Sequence, residues 1–282
     1  MQTEHFTHPL LEGVRLHFAE AGRPDAPLVV LLHGGGANLH WWDHLMPQLS
    51  SQHRVVALDF RGHGDSDYPL RYEVGAFHRD LDALIAHLDS RKHALVGHSL
   101  GAHVALHHAA THPGVEKLVL IEPSRGAGKL ERRRSRLALA ARRTYASRTE
   151  AIERFRFVPD APFAPEDLRR RIAAHSVREE PEGRFGFKFD PRWFAIPAAP
   201  RPDPAQVAAS TLVVRGRDSA LLSAEGAVQL CEELPRARLL EVAGAGHNVH
   251  VERPDEVLAA LEDHLRGDEH TDRRTKESAG TR

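Results

Sequence analysis

The sequence predicts an α/β fold: a mostly parallel sheet of about eight strands flanked by helices, with a helical cap inserted after the sixth strand. Three observations predict it. Short runs of leucine and β-branched residues, such as PLVVLL and RVVALDF, alternate with stretches of helical spacing. These runs are apolar at successive positions, the pattern of strands covered on both faces. The alternation stops after Ile121 and resumes near Ser210, so one long segment stands outside it.

In chain order, VRLHFAE (14–20) alternates well enough for a half-exposed strand, and PLVVLLH (27–33) follows as a buried one. A helix-like LHWWDHLMPQLS precedes the buried strand RVVALDF (54–60), which ends in the Gly/Asp loop RGHGDSD. Phe77, Leu81, Leu84, Ile85 and Leu88 give helical spacing across 74–89. Strands at 93–96 and 117–121 come next, and after the interruption the rhythm returns with TLVVR (211–215) and ARLLEV (237–242). A helix at 223–234 lies between those two strands, and another at 255–266 closes the series. Residues 1–122 and 210–266 are therefore expected to form the core and 123–209 a cap or lid. The charged stretch 267–282 lacks large apolar residues and reads as a disordered tail. A segment of that length in the middle of a domain is too long for a simple loop.

At 282 residues the chain can bury a sizeable core, and 41% hydrophobic with 27% charged residues is ordinary for a globular protein. A net charge of −1 gives no reason to expect nucleic acid. The longest apolar runs fall far short of a membrane span. A single cysteine, Cys231, excludes an internal disulfide framework, and MQTEHFTHPL lacks the apolar core of a secretory signal, so a cytoplasmic location is expected. The 21 histidines are scattered, with neither HExxH nor a Cys/His cluster, and the reading is of no metal and no cofactor.

The chemistry concentrates in three stretches. Gly97-His98-Ser99-Leu100-Gly101 matches G-x-S-x-G between a strand and an Ala-rich helix, a turn that lifts a serine hydroxyl above the sheet. A hydroxyl is a weak nucleophile and needs a neighbouring base held by an acid. The base candidate is His247, in the glycine loop AGAGHNVH after the last strand, with His250 as its competitor. The third stretch, His33-Gly34-Gly35-Gly36, opens directly from a buried strand. Its Gly35 amide, with that of Leu100, would make an oxyanion hole, and Gly34 would support it.

Taken together, HGGGANLHWW, VVALDFRGHGDSD, VGHSLG and AGAGHNVHVERPDEVLAALEDHL resemble the α/β-hydrolase-fold superfamily over nearly the whole chain except cap and tail. The resemblance implies a serine hydrolase of the esterase, thioesterase or lactonase kind. Epoxide hydrolases and dehalogenases of this family use aspartate where this chain has Ser99, and are disfavoured. The family order is serine, acid, histidine. Many relatives place the acid three residues after a glycine that closes the strand corresponding to 211–215. Here that glycine is Gly216 and the position holds Ser219, with Asp218 one residue early. Other members place the acid at the end of the preceding strand, which here is Glu122. Glu122 is the preferred acid and Asp218 the alternative. Under the first choice Ser219 becomes a supporting group near the imidazole.

The expected activity is cofactor-independent cleavage of a small-molecule ester, thioester or lactone through an acyl-enzyme. A carbon–carbon bond hydrolase would use the same triad. A non-catalytic small-molecule binder on this fold would not need the complete set. Trp41 and Trp42 read as anchors of the first helix or as pocket walls. Asp65 and Asp67 read as turn residues bonding local backbone. The ten arginines between Arg125 and Arg156 read as a solvated helical face.

Overall fold

The computed structural model describes residues 1–126, 143–195 and 199–266, together with 133, 134, 137, 138 and 140. Eight strands form one sheet: β1 (Gln2–Phe6), β2 (Leu16–Ala21), β3 (Leu28–Leu32), β4 (Arg54–Asp59), β5 (His93–His98), β6 (Val115–Ile121), β9 (Ser210–Gly216) and β10 (Ala237–Val242). Their spatial order is β1-β2-β4-β3-β5-β6-β9-β10. The pairs β1/β2 and β2/β4 are antiparallel, and every other pair is parallel.

The continuous apolar runs have a direct cause. Successive side chains of a strand point to opposite faces, and here both faces are covered. Val30 and Leu32 of β3 join one core cluster, while Val29 and Leu31 join the other. All five residues of β3 are buried. Each fully buried leucine or valine contributes about 1.5–3 kcal/mol. Helices α2 (Ala76–His87), α3 (Leu100–Thr111), α6 (Ala224–Glu233) and α8 (Pro254–Leu265) supply the covering layers, with the short α1 (Met46–Leu49) and α7 (Val249–Glu252) beside them.

One strand was not expected from the sequence. β1 carries a single buried residue, Phe6, and lies at the sheet edge. Four exposed residues give no apolar pattern to read.

Between β6 and β9 the described chain builds α4 (Arg148–Arg154), α5 (Glu166–Ser176) and an antiparallel hairpin of β7 (Val177–Glu180) and β8 (Arg184–Phe187). The cap is thus not purely helical. Pro181 and Gly183 lie in the turn of the hairpin, and its strands are four residues each, too short for a period to show. Ser147 caps α4 by accepting the Glu150 amide (3.1 Å). Phe155, Phe157, Leu168 and Ile172 pack with Trp41 and Val251 of the core in a third, smaller cluster. Arg132, Arg136 and Arg142 of the arginine run lie outside the described residues, as does the expected tail at 267–282. Among the described residues no helix is long and apolar enough to cross a membrane.

Candidate active site

The glycines of GHSLG are dictated by space. A Cβ on Gly97 would stand 2.3 Å from the Gly101 carbonyl oxygen, and one on Gly101 would stand 2.2 Å from that of Leu32. The turn between them holds Ser99 at φ 50°, ψ −107°, a left-handed conformation uncommon outside glycine. Its amide donates to the Ile121 carbonyl (2.9 Å), and the Gly101 amide donates to His33 (3.1 Å). Neighbouring strands β3 and β6 thereby pin the turn, and the serine stands at the head of α3. Strain of this kind persists only where its surroundings enforce it.

The chain after β3 is held by His33. The Phe60 amide donates to His33 Nε2 (3.2 Å), so the ring proton sits on Nδ1 and is donated to the Gly34 carbonyl (2.7 Å). Buried Asp59 accepts the amides of Leu39 (2.7 Å) and Asp65 (3.0 Å), and it meets His17 Nδ1 at 2.8 Å. Asp65 and Asp67, expected to bond local backbone, reach distant partners. Asp65 pairs with Lys188 (2.8 Å) and Asp67 with Arg15 (3.3 Å). A Cβ on Gly34 would meet His98 Nδ1 at 2.7 Å, and one on Gly35 would meet the Trp193 ring at 2.8 Å.

The structure brings Glu122 to His247. Glu122 follows β6 at φ 53° and is fully buried. Its Oε1 accepts the Gly216 amide (2.7 Å), and its Oε2 accepts the Ser219 hydroxyl (2.6 Å) and faces His247 Nδ1 at 3.0 Å. Adjacency of β6 and β9 makes this possible, because it puts Gly216 beside the end of β6. The alternative acid, Asp218, does not reach the ring: it is exposed, and its amide donates to the Ala245 carbonyl (2.9 Å). Ser219 donates to the same carboxylate oxygen that faces His247 Nδ1, and its oxygen also accepts the amides of Leu221 and Leu222 (both 3.2 Å). His250 is buried behind the site, with its ring 4.8 Å from that of Trp42 and its carbonyl accepting from His44 (2.8 Å).

Burial raises the Glu122 carboxyl above its ordinary value, against the pull of Ser219, Gly216 and the Arg215 charge. It pushes the His247 imidazole down to about 3. An ionised Glu122 at 3.0 Å works against the second shift, so the two titrate as a pair. At neutral pH the imidazole is uncharged. With Nδ1 directed at Glu122, its free lone pair is on Nε2.

Ser99, His247, Gly34, Gly35 and Leu100 all line one cavity of about 660 Å³. Its walls are mainly apolar, with Phe77, Leu106 and Leu230 on the core side and Trp193 and Phe194 from the cap. Trp193 stacks on Phe194 (4.0 Å between ring centres) and meets Phe77 edge-on (5.6 Å). The two tryptophans of the first helix divide their roles. Trp42 is fully buried in the core, while Trp41 borders the cavity and packs on Phe157.

A family model described as alpha/beta hydrolase fold matches residues 27–254. The chain is an alpha/beta hydrolase. This hydrolase is 39% identical over 114 residues to the AB hydrolase superfamily protein YfhM of Bacillus subtilis, covering 39% of this chain and 40% of that protein. It is 35% identical over 113 residues to epoxide hydrolase 4 of Mus musculus, covering 39% and 32% respectively. The matched stretch is thus less than half of either relative. Among solved structures, that of E-2-(acetamidomethylene)succinate hydrolase superposes with a TM-score of 0.81 at 25% identity, covering 94% of this chain and 99% of that one.

Two residues of the hydrolase's site could not be placed there from the sequence. His98, the variable residue inside GHSLG, donates from Nε2 to the His247 carbonyl (2.9 Å) and so supports the histidine loop from below. Trp193 lies in a proline-rich stretch with no period, and only the folded chain brings it against Gly35.

Proposed function

We propose that the protein is a cofactor-independent serine hydrolase cleaving a carboxylic ester, thioester or lactone with an apolar acyl group. The observation that carries this reading is the Glu122–His247 contact of 3.0 Å at the wall of the cavity that Ser99 also lines. A carboxylate at Nδ1 fixes the tautomer that leaves Nε2 as base and stabilises the imidazolium that forms.

In the proposed cycle Ser99 Oγ attacks the acyl carbon and its proton passes to His247 Nε2. The carbonyl π electrons move onto oxygen, where the Gly35 and Leu100 amides stabilise the charge. Donors of this kind are each worth about 2.7–4 kcal/mol. Collapse expels the leaving group, which takes the proton from Nε2. Water then repeats the sequence on the acyl-enzyme, and Ser99 is released. The name of the mouse relative suggests epoxide opening. In the α/β-hydrolase family that chemistry resembles a carboxylate-nucleophile reaction, and this chain has serine at that position.

Reaction with a fluorophosphonate followed by peptide mass spectrometry tests the nucleophile. The adduct is expected on the peptide containing Ser99 and is expected to vanish in Ser99→Ala. Folded wild-type protein that stays unlabelled would overturn the reading. A panel of p-nitrophenyl esters, thioesters and lactones of graded acyl length then ranks the substrate classes.

A further inference from the structure

The cavity beside Ser99 has a polar side that the hydrolytic cycle leaves unused. His103 follows Ser99 by four residues, and its amide donates to the Ser99 carbonyl (3.2 Å), so it stands one turn further along the same face of α3. At about 1.5 Å of rise per residue, the two are about 6 Å apart along the helix axis. His103 is exposed and lines the cavity, and among the described residues its ring has no hydrogen-bond partner.

Arg201 lines the same cavity, and its charge acts on the His103 ring, as does His247. The other charges of the lining are already matched. Arg125 is held by both carboxylate oxygens of Glu233, one of them at 2.8 Å, and Glu73 is held by Arg79 (2.9 Å). The Arg201 charge reaches Glu233 as well, but Arg125 occupies that carboxylate. Asp203, two residues on, turns to accept the Ala205 amide (3.0 Å). Among the described residues no carboxylate stands within ion-pair distance of Arg201, so the lining carries one unmatched positive charge.

The backbone at Arg201 is stiff by sequence, since it lies between Pro200 and Pro202. Proline fixes φ, and a residue that precedes proline is held to extended conformations. Less freedom is then lost when a ligand orders this segment.

We propose that His103 and Arg201 bind a carboxylate carried on the acyl part of the substrate, about one helical turn from the scissile carbonyl. The proposal rests on the hydrolytic reading of Ser99 and His247 and narrows its substrates to esters and thioesters of acyl chains that bear a second, free carboxylate. A guanidinium presents paired N–H donors that match the two oxygens of a carboxylate. The surrounding protein, with Arg201 and His247, holds the His103 imidazole down to about 4, so at neutral pH it is uncharged and offers one N–H. One unmatched cation suits a monoanion. The methylenes between the two carbonyl groups would lie along the apolar wall at Phe77 and Leu106.

The test has two readouts on the full chain. Wild type should hydrolyse p-nitrophenyl hemiadipate with a kcat/KM about tenfold above that for p-nitrophenyl hexanoate, which has the same acyl length without the charge, and the gain should lie in KM. Arg201→Gln and His103→Leu should each bring that ratio down severalfold, Arg201→Lys should keep part of it, and Arg170→Gln, at an exposed position of α5, should keep all of it. Calorimetry of monomethyl adipate on Ser99→Ala reads the subsite without turnover, and adding Arg201→Gln should weaken binding about tenfold. A wild-type ratio near one, a ratio that survives Arg201→Gln, an equal fall in Arg170→Gln, or no saturable binding of monomethyl adipate would each overturn the proposal. Binding that depends on Arg201, in a chain that cleaves neither ester and takes up no fluorophosphonate, would instead uphold the subsite and overturn the hydrolytic reading.

Discussion

Strands β3, β5, β6 and β9 are buried along nearly their whole length, whereas the described cap keeps one small apolar cluster around Phe155, Phe157 and Ile172. The two regions meet at the cavity and contribute different things to it. Every group of the proposed triad stands at the end of a strand or in the loop after one: Ser99 after β5, Glu122 after β6, His247 after β10. Their positions are tied to backbone ladders whose geometry has little freedom. The cap supplies Trp193 and Phe194, which shape the space. In the proposed reaction the sheet layer would carry the chemistry and the thinner layer the fit.

That contrast can be broken, and the largest expected effect is at the acid. Glu122→Gln should lower kcat about 10⁴-fold, because the wrong imidazole tautomer is then favoured, while Asp218→Asn should stay within about twofold of wild type. Hydrolysis of p-nitrophenyl acetate measures both. A loss confined to the Asp218 variant would reverse the assignment.

Next in size is stability. Trp42→Ala removes a fully buried ring from the sheet side and should cost about 3–5 kcal/mol in urea unfolding. Phe163→Ala, at a cap ring 49% exposed, should change stability by about 0.5 kcal/mol or less. Equal losses would show that the cap is as tightly integrated as the sheet.

Trp193→Ala sharpens the division of labour. The indole borders the cavity against Gly35, so kcat/KM for a long or aromatic acyl ester should fall about tenfold, with acetate hydrolysis little changed. A uniform fall across acyl lengths would place Trp193 in support of the oxyanion loop instead.

The gentlest probe is pH. Burial holds His63 and His247 down to about 3, and His93 and His264 down to about 4. Below the ordinary histidine value of 6.5 the unfolded chain therefore binds more protons than the folded one. The stability tied to their neutral forms is complete above pH 6.5 and drains away as pH falls toward 3–4. The Glu122 carboxyl, raised by burial, pulls the other way above pH 4.5, so urea midpoints should rise slightly from pH 8 to 7 and fall below pH 6, where the four rings outweigh it. A midpoint unchanged at pH 5 would show that these rings are not buried in the folded protein.

Much of the fold could be read in the chain because parallel strands buried on both faces leave continuous apolar runs, as in PLVVLL. β1 and the β7/β8 hairpin left no such mark: one is an exposed edge, the other four residues a side. Of the site, Ser99, Gly35, Leu100 and His247 announce themselves through glycine spacing and strand position. The choice between Glu122 and Asp218 does not. It depends on the left-handed backbone at Glu122 and on which strand lies beside β6, and neither is a local property.

The sequence by itself determined the turn, because only glycine fits at Gly97 and Gly101, where an added Cβ would stand within 2.3 Å of the backbone at the start of α3 and at the end of β3. It also determined the layers, through apolar periodicity. Tertiary structure alone decided what stands behind the histidine and what roofs the serine. Those are contacts between residues far apart in the chain, Glu122 with His247 and Gly35 with Trp193, and such contacts exist only once strand order and cap placement have fixed their distances.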